Sequence, residues 1–340
     1  MTALPATSDD GAFWDLWLTP YYLPCITAAD EIGTFAAISG EALTTDDLAQ
    51  KVSAEPRALG VHLGLLAALG MVERRAGKWR ATAMARTWMH PEAEGYYGPL
   101  LGSFQDGMPL HRQMVETLQT GEKGADSLSF TAEWERGALP QDLADNIASF
   151  MNCHSIAAAK AVAKLSAISS TGKLLDIGGG SAIFSIEMAR ANAALHATVL
   201  EIDTMCISAQ RYIDDADAGD RVSTIAVDMF RQDWPTGYDA HFFSNIFHDW
   251  SDETCKLLAG KSFAALPSGG RIMLHEILMD DDGTGPLIAA AFSMLMLLGT
   301  KGRQYSLPEF TDILESVGFV NVQAERTGGG YYSLVTADKP

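Results

Sequence analysis

The chain has 340 residues, 47% of them hydrophobic, with 24 Lys and Arg against 43 Asp and Glu and a formal net charge of −19. That length suits two domains of ordinary size, and the acidic surface opposes long-range attraction to nucleic acid or to anionic membranes. No apolar run is long enough for a transmembrane helix, and "MTALPATSDDGAFWDLW" has neither the basic nor the apolar region of a signal peptide, so a cytoplasmic location is expected.

Residues 1–95 read as helices followed by a hairpin. "CITAADEIGTFAAI" has helix-period apolar residues, "TTDDLAQKV" offers Thr44 or Thr45 as N-cap, and "EPRALGVHLGLLAAL" places Pro56 near a helix start. "GMVERRAGKWRATAMA" then predicts two short strands joined by a turn at Ala76-Gly77. Three helices and a hairpin suggest a winged helix. The segment that would read DNA is apolar and poor in Lys and Arg, so a packing or dimerisation module is expected there instead.

Residues 96–168 read as a second helical region. It contains one long helix, "PQDLADNIASFMNCHSIAAAKAVAKL", with Pro140 at its start. Ile147, Phe150, Met151 and His154 share a face of that helix, as do Phe292 and Met296 in "AAAFSMLMLLG". Such stripes serve as core or as the wall of an apolar ligand pocket, and the spacing fits both. His154 is either a satisfied core histidine or a hydrogen-bond partner for a ligand.

From residue 169 to 340 the pattern changes. "KLLDIGG", "HATVLEI", "VSTIAV", "AHFFSNIF" and "RIMLHEIL" are strand-like and alternate with helical segments. The expected fold is α/β, a Rossmann-like parallel sheet with helices on both faces. The four cysteines, Cys25, Cys153, Cys206 and Cys255, are scattered without a C-x-x-C pair and predict reduced thiols.

Three strand ends carry candidate ligand groups. After the first, Asp176 precedes Gly178, Gly179 and Gly180, a turn through which a ligand can approach backbone, and Ser181 is placed to cap the next helix. Glu201 ends the second strand, where a carboxylate can accept from both ribose hydroxyls, with Asp203 as its neighbour. Asp228 and Met229 follow the third, suited to an adenine amino group and ring. Up to this point a dinucleotide and S-adenosylmethionine fit equally.

"LLDIGGGSA", "VLEID", "VDMF", "FHDWSDE", "ALPSGGRIMLHEIL" and "GRQYSLPEF", in this order, resemble the class I O-methyltransferases of the caffeic acid and hydroxyindole type. The resemblance covers nearly the whole chain. It implies S-adenosyl-L-methionine as methyl donor, with S-adenosyl-L-homocysteine as product, a homodimer with interlocked N-terminal halves, and an aromatic or polyketide-like small-molecule acceptor bound between two domains. It further implies His248 as general base, Glu276 as the carboxylate that orients it, and Ser244 and Trp250 among the cofactor contacts. Ile147, Met151, His154, Phe292 and Met296 would face the acceptor. Two positions depart from the family pattern: Gln304 stands where a second orienting glutamate is common, and Ala182 where glycine is. Gln304 can hydrogen-bond but cannot stabilise an imidazolium by charge, which keeps open N- or C-methylation, or a relative that binds the cofactor without methylating. His248, Asp249, His275 and Glu276 also invite a metal reading, but His275 and Glu276 should point to opposite faces of their strand.

Overall fold

The computed structural model describes residues 10–105, 107–122, 139–328 and 330–340; the first nine residues of the N-terminal reading lie outside these. The chain divides into two compact units. Among the described residues, one comprises 13–122 and 279–306, the other 10–12, 139–278 and 307–340. These boundaries differ from those expected in two places. The long helix belongs with the sheet, and the apolar Leu287–Gly299 helix belongs with the N-terminal helices.

In the first unit, a helix at Thr45–Val52 is capped by Thr44, whose hydroxyl accepts from the Asp47 amide at 3.1 Å. The next, Pro56–Ala68, starts on Pro56 with the Glu55 carboxylate accepting from the Arg57 and Ala58 amides. β1 (Val72–Arg75) and β2 (Lys78–Ala81) form the expected hairpin, with Ala76 and Gly77 both at positive φ. "CITAADEIGTFAAI" is broken rather than continuous: Gly33, at φ +80°, separates Tyr22–Glu31 from a short turn of helix at Thr34–Ala37. The Leu287–Gly299 helix packs against Pro56–Ala68, and eleven of its thirteen residues are buried. That explains a sequence apolar at all but Ser293.

In the second unit, β3 (Lys173–Ile177), β4 (His196–Glu201), β5 (Val222–Ala226), β6 (Ala240–Ser244), β7 (Arg271–Glu276), β8 (Val320–Arg326) and β9 (Ser333–Asp338) form one sheet in the order β5-β4-β3-β6-β7-β9-β8. The first five are parallel, and β9 runs antiparallel to β7 and β8. β6 is buried at all five positions, which is why "AHFFS" lacks polar alternation. The strand order reverses between β3 and β6. Ligands of such sheets bind in the crevice beyond the carboxyl ends of the strands at this point. The long helix Gln141–Val162 packs on Ile183–Ala191 and Asp203–Asp215, the two helices that follow β3 and β4.

No described helix is long and apolar enough to cross a membrane. All four cysteines are free.

Phe242, wholly buried at the centre of β6, packs on Phe184. Phe242→Ala should destabilise the fold by about 3–5 kcal/mol in chemical denaturation, and a loss below about 1 kcal/mol would contradict this packing.

Candidate active site

The β3 turn is shaped by backbone conformation. Gly178 and Gly180 lie at φ +69° and +55°, and a Cβ on Gly178 would sit 2.5 Å from the Ile246 side chain of the loop after β6. Glycine at 178 therefore lets the two loops of the switch point touch. Ala182 adopts φ +64°, a left-handed conformation that glycine carries freely and alanine only at a cost of about 1–2 kcal/mol. Ser181 does not cap the following helix, whose N-cap is Ala182. Its hydroxyl points instead to the Asn152 side chain on the long helix, at 3.4 Å.

Asp176 lies behind this turn. It is 1% exposed, and Ser185 donates to its carboxylate at 2.7 Å. Burial pushes its carboxyl up to about 7. Glu201, at the end of β4, accepts from the Gly180 amide at 3.3 Å and the Ile202 amide at 3.1 Å, tying the second strand end to the glycine turn. Asp203 does not cap by side chain but opens the next helix, where its charge suits the helix dipole.

Asp228 is engaged by its own loop. Its carboxylate accepts from the Phe230 and Arg231 amides and pairs with the Arg231 guanidinium at 2.7 Å. Met229 is buried, and its carbonyl accepts from the Trp234 indole. Phe230, which the sequence reading passed over, meets Trp250 edge-on at 4.7 Å. It thus links the loop after β5 to the loop after β6.

The loop after β6 carries His248 in a short 3-10 turn, Phe247–Asp249. Glu276, at the end of β7, is 1% exposed. Its Oε1 accepts from the Ile246 and Phe247 amides at 3.2 and 3.0 Å. Its Oε2 lies 3.1 Å from His248 Nδ1, at hydrogen-bond distance but off the ideal N–H line. The other ring nitrogen, Nε2, is 3.7 Å from Asp249 Oδ1. Burial pushes Asp249 up to about 6, with His248 opposing the rise and Glu276 adding to it.

His275 faces the other way. It stacks on Tyr332 at 4.4 Å and meets the Ser244 hydroxyl at 2.8 Å, and burial pushes its imidazole down to about 3. Ser244 thus turns its hydroxyl into the core, which leaves its main chain for any ligand contact. Among the described residues no cluster of His, Cys, Asp and Glu is arranged to hold a metal.

The residues expected to face an acceptor fall in both units. On the long helix, Met151 lies against Gly180, with its Cβ 3.9 Å from the point a Cβ there would occupy. Ile147 packs into a cluster with Ala144, Ala148 and Met205 and so serves the helix contact. Burial pushes the His154 imidazole down to about 4, nearby His248 acts in the same direction, and Phe150 meets the ring edge-on. Phe292 and Met296 lie in the first unit, where Phe292 packs on Trp14 and Trp17. Gln304, also in that unit, is 1% exposed, and its amide donates to Ser293.

The high value at Asp176 implies a pH-dependent stability. A carboxyl raised from an ordinary value near about 3.9 to about 7 favours folding below the lower value, and the benefit is lost as pH rises through the upper one. The wild-type melting temperature should therefore fall between pH 5.5 and 8, and Asp176→Asn should reduce that fall. Equal pH dependence in the two proteins would contradict the assignment.

The model of the O-methyltransferase domain matches residues 129–320. A 3-hydroxy-5-methyl-1-naphthoate 3-O-methyltransferase of Streptomyces sahachiroi is 31% identical over 317 residues, 92% of this chain and 88% of that protein. An L-tyrosine C(3)-methyltransferase of Streptomyces lavendulae is 36% identical over 154 residues, 45% of this chain and 42% of that one. Among solved structures, an O-methyltransferase family 2 protein of Planctomyces limnophilus in complex with apigenin has the same fold, with a TM-score of 0.86 at 22% identity over 99% of this chain and 98% of that one. With the family model spanning more than half its length and a relative aligned along nearly all of it, this chain belongs to the O-methyltransferase family.

Proposed function

We propose that this protein transfers a methyl group from S-adenosylmethionine to a hydroxyl of a small aromatic or polyketide-like acceptor, with His248 as general base oriented by Glu276. The observation that carries this reading is the buried Glu276–His248 pair, Glu276 ending β7 and His248 in the loop after the adjacent strand β6, whose Ile246 lies against the glycine turn.

The residues suit the donor. A glycine turn with left-handed φ at 178 and 180 ends β3 at the switch point, and Glu201 is anchored to it as a ribose acceptor would need to be. Trp250, Met229 and Phe230 offer flat and polarisable surface for an adenine ring. When bound, the sulfonium supplies an electrophilic methyl; the protein's own task is to place the acceptor and take its proton.

Glu276 beside Nδ1 favours the tautomer with the proton on that nitrogen, leaving Nε2 as the acceptor. A phenol has a pKa near about 10 and a free imidazole about 6.5. Full deprotonation before methyl transfer is therefore uphill, and the proton moves to Nε2 as the new bond forms. The carboxylate then stabilises the imidazolium. His154, kept neutral by burial, can hydrogen-bond the acceptor without competing for its proton. Exposed Phe13 and Leu16 on the Gly11–Trp17 helix give a homodimer apolar surface to cover.

A second reading, methylation of a phenol ring carbon, draws on the tyrosine C-methylating relative. It uses the same base, since removing the phenolic proton also enriches the ring carbons. The product's methyl resonance separates an ether from a ring methyl.

To test the main reading, 3-hydroxy-5-methyl-1-naphthoate serves as probe acceptor with S-adenosylmethionine. His248→Ala should bind S-adenosylhomocysteine as wild type does while methyl transfer falls by about 10²–10⁴. Full activity in that variant would remove His248 as base.

A further inference from the structure

Six non-glycine residues adopt positive φ among the described residues: Ser53, Ala76, Ala182, Asp217, Asn245 and Asn321. Two of these are buried, Ala182 and Asn245. Both lie in loops of the candidate active site. Ala182 closes the glycine turn; Asn245, at φ +55° and 4% exposed, is the first residue after β6.

The surroundings of Asn245 are specific. Its amide donates to the His275 carbonyl at 3.2 Å, prolonging the β6–β7 ladder by one bond. The next two amides, of Ile246 and Phe247, leave the ladder and both close on Glu276 Oε1. The change of partner, from a neighbouring strand's backbone to a side chain at its end, occurs across Asn245. The Asn245 side chain lies beside the Tyr332 hydroxyl, and the Tyr332 ring stacks at 9° on His275. The turn is therefore held on both sides: by Glu276 ahead of it and by the His275 carbonyl behind. Asparagine is one of the few residues that tolerates the left-handed region, but only glycine enters it freely.

We propose that Asn245 is a positioning residue for His248: its left-handed backbone turns the chain so that two successive amides occupy one oxygen of Glu276 and the other oxygen is left for the imidazole. This rests on the reading of His248 as an oriented base. It adds a residue that touches neither donor nor acceptor and acts through Glu276. A residue confined to the ordinary helical or extended regions would aim the Ile246 and Phe247 amides elsewhere. The carboxylate would then lose the contacts that fix its plane, and with them its alignment on Nδ1.

The test compares Asn245→Val with Asn245→Gly in the full-length chain labelled with 15N-histidine, with S-adenosylhomocysteine as the added probe. Valine is chosen because a β-branched residue is excluded from the left-handed region, which alanine enters at Ala76 and Ala182 of this chain. His248 is assigned by its loss in His248→Gln. Wild type and Asn245→Gly should both show the Nδ1–H tautomer of His248. Asn245→Val should show a mixture of tautomers and a titration midpoint moved to lower pH, because a carboxylate contact that favours the imidazolium is weakened. Methyl transfer should follow the ring, low in the valine variant and restored by glycine. A valine variant with the wild-type ring, or equal loss in valine and glycine, overturns the proposal. Should the valine variant not fold, loss of the tautomer in the glycine variant overturns it by itself. Glu276→Gln separates the two levels. If that change leaves the His248 ring as in wild type, the reading of an oriented base fails. If it alters the ring while Asn245→Val does not, only the role of Asn245 falls.

Discussion

The two oxygens of Glu276 face two kinds of group. One oxygen holds the backbone amides of Ile246 and Phe247, and the other faces the imidazole of His248. A buried carboxylate is costly unless it is hydrogen-bonded or paired. Here the Ile246 and Phe247 amides reduce that cost and also set the path of the loop that carries His248. Strand β7 delivers the carboxylate, and strand β6 delivers the loop one strand away. The chemistry of the site thus depends on the register of these two strands, Ser244 opposite His275, because a slip of one residue would exchange Glu276 for His275 on that face.

The second dependence runs through the glycine turn. Gly178 has no side chain, and so Ile246 of the β6 loop can lie against it. Glu201 holds the turn from the β4 side, and Met151 and Asn152 of the long helix reach it from above the sheet. Asp145 on that helix pairs with Arg211 and accepts from Ser208 and Gln141, which fastens the helix to the one following Glu201. The glycine turn, the loop that carries His248 and the helix that carries His154 are therefore joined by direct contacts within one unit.

Much of this was legible in the sequence, for physical reasons. Strands buried on both faces are mostly apolar, so "KLLDI" and "AHFFS" could be read directly. Acids and glycines at successive segment ends marked where the strands stop before any family was named. β8 was missed because it is a mostly exposed, polar edge strand, and β9 because its reversal leaves no mark in an apolar run. Nothing in the uniformly apolar Leu287–Gly299 helix says which unit it joins. Asp228 and Ile147, expected as ligand groups, have local partners that sequence does not show: Asp228 accepts within its own turn and Ile147 packs in a helix contact. Phe230 and Asn245 escaped notice for opposite reasons. Nothing in "VDMF" sets Phe230 apart from a core aromatic, and an asparagine after a strand carries no sign of the backbone angle it must adopt.

The account stands on Glu276 acting through His248 rather than through the fold alone. The most direct measurement is methyl transfer by Glu276→Gln, set beside its affinity for S-adenosylhomocysteine by calorimetry. Glutamine keeps an oxygen for the Ile246 and Phe247 amides but brings no charge to the imidazolium. Turnover should fall by about 10²-fold or more while the affinity stays within about threefold of wild type, a difference under about 0.7 kcal/mol. Near-normal turnover would contradict the account, and so would a loss of activity explained wholly by lost S-adenosylhomocysteine binding.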